Sequence, residues 1–132
     1  MSAPHFDVAV TALTAALGDR LAPGITDFVD LFQDDAIVDV PFDGDGTARP
    51  MRGRAALEQL TTSLRGILRF DEVTILELHD TNQAGTIIIE YEALLHRSDL
   101  GGSFRRRYIS VIQIQDGRIA RLREYGGPFI PT

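Results

Sequence analysis

Apolar residues recur at helical spacing between positions 4 and 18: Phe6, Ala9, Val10, Leu13, Ala16 and Leu17. Pro4 suits a first turn and Gly18 a C-terminal stop, so this stretch predicts a helix. A second helix is predicted from about Ile25 to Phe32. Phe28, Val29, Leu31 and Phe32 supply its apolar side, and Thr26 and Asp27 favour its start. The period then shortens. From Ala36 to Phe42, the set Ile37, Asp39 and Pro41 alternates with Val38, Val40 and Phe42, which is the two-residue repeat of a strand. Asp43 to Arg52 is polar, contains Gly44, Gly46 and Pro50, and reads as a loop. A third helix is predicted from about Arg54 to Leu68, with Leu57, Leu60, Leu64, Ile67 and Leu68 on one side. Only strand patterns follow, at about 70–79, 85–97, 103–115 and 118–125. Asp116-Gly117 between the last two is a tight-hairpin signal.

Helices gathered early and antiparallel strands late predict an α+β domain. Three helices can cover one face of a curved sheet, and the space between them is where a pocket forms. A chain of 132 residues suits one domain. It contains no cysteine, which excludes disulfides, thiolate metal sites and a cysteine nucleophile; the expected location is the reducing cytoplasm. His5 and Asp7 interrupt the N-terminal apolar residues, which therefore read as neither a signal peptide nor a membrane span. The net charge of −6 does not favour nucleic acid as a partner.

Three stretches carry a family resemblance. Leu31-Phe32-Gln33-Asp34-Asp35-Ala36-Ile37-Val38 resembles the helix-to-strand junction of SnoaL-like proteins. Arg52-Gly53-Arg54-Ala55-Ala56-Leu57 resembles their lead-in to the third helix. Tyr108 to Ile119, together with Arg123-Glu124-Tyr125, resembles their last hairpin. The likeness extends over almost the whole chain, and the ordered set is more specific than any single motif. The superfamily, that of nuclear transport factor 2-like proteins, implies a cone-shaped barrel: a curved, mainly antiparallel sheet with three N-terminal helices packed on its concave face. It often implies a dimer formed through the sheet. Its activities are diverse, including ketosteroid isomerase, scytalone dehydratase, limonene-epoxide hydrolase and polyketide cyclase, so fold alone does not give function.

The comparison with steroid isomerases fails at each catalytic position. The base position falls on Val40, the oxyanion-hole tyrosine on about Leu13 and the buried acid on Ser110; none can supply the required chemistry. Asp39 is next to Val40, but one residue of slip turns a strand side chain to the other face. It is either a pocket base or an edge aspartate. Glu124 is the stronger candidate, because the resemblance to cyclases implies an acid on the last strand. Alternation places Ala120, Leu122, Glu124 and Gly126 on one face, with Ile119, Arg121, Arg123 and Tyr125 on the other. On the inner face a carboxyl group would have its pKa raised by burial and could transfer protons. The alternative is a partly exposed glutamate paired with an arginine.

On the preceding strand, Arg106, Tyr108, Ser110, Ile112 and Ile114 share a face, with the pocket expected to open to water near Arg106. Tyr108 and Ser110 are candidates to hydrogen-bond a ligand; Tyr108 reads equally well as core with its hydroxyl at the rim. Leu13, Val38, Val40, Phe42, Arg106, Ile112 and Leu122 are expected to line the pocket. Glu90 and Glu92 alternate with the more apolar Ile89, Tyr91, Ala93 and Leu95, and are expected to point outward, across from Arg105 and Arg107. Related epoxide hydrolases keep an arginine and an aspartate at those two places, which puts hydrolase chemistry in doubt here.

The other signals are weaker. Alternation divides Arg105-Arg106-Arg107 between two faces. Asp43-Gly44-Asp45-Gly46 hints at a calcium loop, but Ala48 and Arg54 replace its glycine and glutamate. His5, His79 and His96 lack metal-ligand spacing. The leading expectation is a cofactor-free isomerase, cyclase or dehydratase, acting by proton transfer on a bulky hydrophobic substrate, with Glu124, Tyr108 and Ser110 as its site. The rivals are a non-catalytic binding module for a hydrophobic metabolite and an interaction domain. A homodimer through Ile109, Val111 and Gln113 on the outer sheet face is also expected.

Overall fold

The computed structural model describes residues 4–42 and 49–132. After a 3-10 turn at Pro4–Phe6, helix α1 spans Asp7–Leu17 and buries Val10 and Leu17. Strand β1 covers Phe32–Asp39 and β2 covers Met51–Arg52, followed by helix α2 at Arg54–Leu64. Four long strands come next: β3 (Leu68–Asp80), β4 (Thr86–Arg97), β5 (Gly102–Gln115) and β6 (Arg118–Gly126). A two-residue strand, β7 (Ile130–Pro131), closes the series. The sheet order is β2-β1-β6-β5-β4-β3, and β7 pairs with β5. Only the β1–β6 pairing is parallel, so this is a mixed seven-stranded sheet in an α+β fold.

Two predicted helices change. The segment expected to be helical from Ile25 to Phe32 contains only a 3-10 turn at Val29–Leu31. Its β-branched and aromatic residues lose side-chain freedom in a helix. Phe32 is instead drawn into the sheet opposite Ile119, while Phe28 stacks on Phe6 at 4.8 Å. The described residues therefore hold two α-helices, of which α1 is N-terminal, rather than three N-terminal ones. Helix α2 stops at Leu64, four residues before the predicted end. Arg65 is extended and Gly66 has a φ of 80°, a left-handed conformation that favours glycine and ends the helix. Leu68 then pairs with Arg97 as the first residue of β3. The predicted turn at Asp116-Gly117 is present, with both residues at positive φ, as a tight hairpin turn requires.

The principal core is formed where α1, α2 and the inner sheet face meet. Leu17, Leu31, Phe32, Leu57, Ile89, Ile112 and Ile119 are all at most 1% exposed. Ala93, Leu95 and Tyr108 form a second cluster toward the other end of β4 and β5. The segment with the calcium-like pattern, Asp43 to Gly46, lies outside the described residues.

Candidate active site

A cavity of about 290 Å³ lies between the helices and the inner sheet face. Strand alternation determines which side chains reach it. On β5, Arg106, Tyr108, Ser110 and Ile112 face in; on β4, Ile89, Tyr91, Ala93 and Leu95 are on the same side as these partners. Helical spacing brings Ala9 and Leu13 of α1, and Leu57, Leu60 and Leu64 of α2, to the opposite wall. Val38 and Val40 also line the cavity, as do Leu122 and Glu124.

Every expected site residue except Phe42 is on this lining. Phe42 is 71% exposed and packs edge-on against Tyr125 at 5.0 Å, away from the cavity. The break at Pro41 ends the strand alternation that would have turned Phe42 inward. A second correction concerns β6. Its register shifts against β5 between Gln113–Arg121 and Ile114–Ile119, leaving Ala120 as an extra residue. This bulge changes the alternation, so Ile119 faces in with Leu122, Glu124 and Gly126, and is 1% exposed.

Arg106 departs from expectation in another way. It was expected at a water-filled mouth, but it is only 8% exposed. Its Nε donates to the Gly127 carbonyl at 2.8 Å, and its guanidinium lies over the rings of Phe129 (4.2 Å) and Tyr108 (4.9 Å). Phe129 is brought there by β7, which pairs Ile130 with Arg105 and Pro131 with Phe104. Gly126 leaves room for the guanidinium: a Cβ there would fall 2.2 Å from Arg106 Nη2.

The polar centre of the cavity is a group of neighbouring rungs on β4, β5 and β6. Ser110 is paired with Ile89 on one side and Glu124 on the other; Tyr108 is paired with Tyr91 and Gly126. The Tyr91 hydroxyl donates a hydrogen bond to Glu124 Oε1. The Tyr91 and Tyr108 rings are stacked, 4.9 Å apart and 14° from parallel. Burial is the main cause that pushes the Tyr91 pKa well above its ordinary 10.0, and the nearby Glu124 adds to the shift; a hydrogen bond from Ser110 opposes it. Tyr91 is therefore a neutral phenol at physiological pH. Sequence alternation put it on the apolar face of β4, but its partner is 33 residues away through a register that the sequence does not spell out.

Outside the cavity, Glu92 points away from it and pairs with Arg107 at 2.9 Å and Arg105 at 4.0 Å. Glu90 meets His79 at 2.7 Å. Glu77 joins these two, so that one potential ligand atom from each of Glu77, His79 and Glu90 is within 4.8 Å of the others. This is the metal-compatible grouping among the described residues, assembled across β3 and β4 rather than by linear spacing. No described helix is long and apolar enough to cross a membrane.

Residues 10–122 match the family model for the SnoaL-like domain. The chain is 25% identical over 126 residues to the uncharacterised protein YesE of Bacillus subtilis (strain 168), covering 96% of this chain and 86% of that one. A solved Bacillus subtilis structure named "Putative Isomerase" aligns with a TM-score of 0.72 at 25% identity, over 94% of this chain and 89% of the other. A Catenulispora acidiphila DSM 44928 protein with a ketosteroid isomerase-like fold, solved in complex with trimethylamine, aligns with a TM-score of 0.64. Its identity is 18%, and 88% of this chain and 82% of that one are covered. With the family model matched over most of its length and this fold around its cavity, the chain belongs to the SnoaL-like domain family.

Proposed function

We propose that this domain binds a small, mostly apolar molecule in its cavity and transfers a proton on it through Glu124. The observation carrying this reading is the Tyr91–Glu124 hydrogen bond in a mostly apolar cavity. A carboxyl group there operates with little water to screen it, where positioned charges and dipoles act most strongly. In the base direction, the C–H bond beside a substrate carbonyl breaks. Its proton goes to the Glu124 carboxylate, its electron pair becomes the C=C bond of an enolate, and the carbonyl π pair moves onto the oxygen. Return of the proton to the other face of that carbon, or to the γ carbon where a β,γ double bond extends the enolate, gives an isomer, and no redox partner is needed. Tyr91 fixes the carboxyl by donating to Oε1, and Ser110 positions Tyr91 through its hydroxyl. Tyr108, stacked against Tyr91, orients the ligand.

The test is hydrogen–deuterium exchange into carbonyl compounds, followed by NMR with the wild type, Glu124→Gln and Tyr91→Phe. Exchange that is lost in Glu124→Gln and weakened in Tyr91→Phe supports the reading. Ligand binding with no exchange above solvent would replace it with the binding-module reading.

We also propose a homodimer through the outer sheet face. Ile109 is 45% exposed there and Leu94 36%, on the face shared with Val111 and Gln113. Sedimentation should show a dimer that Ile109→Lys dissociates; a wild-type monomer at every concentration would refute it.

A further inference from the structure

We infer that the cavity selects compact ketones of one or two rings, about a dozen non-hydrogen atoms in size, with an apolar ring extending beyond the carbonyl. This deepens the proton-transfer reading and rests on it for the role of the carbonyl. The size limit comes from the volume. At protein-like packing density, 290 Å³ accommodates roughly 215 Å³ of molecule, which corresponds to about twelve carbon-sized atoms with their hydrogens. That is near the lower end of ligand pockets, which run from about 300 to 1,000 Å³. A fused four-ring skeleton of about 17 ring carbons needs roughly one and a half times that space, so a compact ligand fits the cavity better than the bulky one expected from the sequence.

Ring shape follows from the walls. Phe6 and Phe28 line one side with their rings 4.8 Å apart, and Phe6 also reaches the ring of Phe70 on β3 at 5.5 Å. The stacked pair Tyr91 and Tyr108 lines the sheet side of the same cavity. Aromatic faces on both sides favour a flat or ring-shaped occupant over a branched chain. The carbonyl position follows from the strand rungs. Ser110, Glu124, Tyr91 and Tyr108 form a polar band across the sheet. The next rung toward α1 and α2 is Ile87, Ile112 and Leu122, and beyond it are Leu13 and Leu57. An oxygen at the band lies beside polar side chains, whereas one placed among the leucines would lose its hydration in a wholly apolar setting. The ligand therefore needs an apolar ring beyond its carbonyl.

The experiment compares 2-decalone, a two-ring ketone, with a tetracyclic ketosteroid. Binding to the wild-type protein is measured by calorimetry, and exchange of the α-protons in deuterated buffer by NMR. Decalone should bind at least about tenfold more tightly than the steroid. Leu60→Trp, which fills the cavity from α2, should weaken decalone binding about tenfold or more while circular dichroism stays native. Equal or tighter steroid binding, binding of neither compound, or decalone binding unaffected by Leu60→Trp in a natively folded variant would each overturn the size assignment. Decalone that binds as expected but exchanges no faster with the wild type than with Glu124→Gln would support the size assignment and remove Glu124 as the proton carrier, so the two failures are distinct.

Discussion

Glu124 and Glu90 each meet a ring-bearing partner on another strand of the sheet, one inside the molecule and one outside. Glu124 accepts a hydrogen bond from Tyr91 within the apolar cavity. Glu90 meets His79 on the outer sheet face, where both side chains are about two-fifths exposed. The contact chemistry is similar, but the surroundings differ. Water and salt screen the outer pair, which leaves such pairs worth little. The inner pair sits among Leu13, Ile112, Leu122 and the stacked tyrosines, where burial pushes the Tyr91 pKa far up. The same residue type can thus be held in an apolar cavity or stand on a solvated surface. The two-residue period of a strand decides which.

That comparison can be broken first by paired substitutions of the acids. Glu124→Gln should lower proton-transfer activity by about a hundredfold or more, the usual contribution of a positioned acid or base, with folding retained. Glu90→Gln should leave activity unchanged in the same exchange assay. Equal losses in both variants would mean that the two faces do not divide as described.

Next in size is the contrast between apolar residues on the two faces. Ile89 is fully buried on the inner side of β4, whereas Ile109 on β5 is 45% exposed on the outer side. Ile89→Ala should cost about 2–5 kcal/mol in urea unfolding. Ile109→Ala should change stability by only about 0.5 kcal/mol or less when measured below any dimerisation concentration.

Two histidines give the smallest but sharpest contrast, because their pKa values move in opposite directions. The hydrogen bond to Glu90 is the main cause that raises His79 above 6.5. Its stabilising contribution is therefore complete below that pH and disappears as pH rises through the elevated folded-state value. Burial is the main cause that lowers His5 below 6.5. The unfolded chain then takes up that proton first, so stability falls as pH drops from about 6.5 through the depressed folded-state value. Unfolding curves from about pH 5 to pH 8 should show His79→Gln destabilising only on the acidic side. His5→Gln should reduce the loss of stability on that same side.

Much of this arrangement was legible in the amino-acid order. Alternation on β4 and β5 put Tyr91, Tyr108, Ser110 and Ile112 inside and Glu92 outside, and Asp116-Gly117 marked the turn between β5 and β6. The acid on β6 was placed on its inner face. The misses have local causes. The bulge at Ala120 is set by how β6 must pair with both β5 and β1, so it reverses Ile119 without any sign in the pattern. The segment before β1 has apolar spacing that fits a helix, but pairing of Phe32 with the sheet and stacking of Phe28 override it. Burial of Arg106 depends on Phe129, delivered by a two-residue strand too short to leave a periodic trace. The Tyr91–Glu124 bond joins strands that are not neighbours, with β5 between them, and only the folded register brings the two residues together.

The central claim, that Tyr91 is a neutral phenol donating to Glu124 in a water-poor cavity, is tested most directly by a pH titration of ring-labelled tyrosine by NMR. The chain has three tyrosines, and the Tyr91 signal can be assigned with Tyr91→Phe. This signal should stay in the phenol form as pH rises through 10.0, and Glu124→Gln should move its titration to lower pH. A Tyr91 signal that titrates at 10.0 in the wild type and does not respond to Glu124→Gln would contradict the claim.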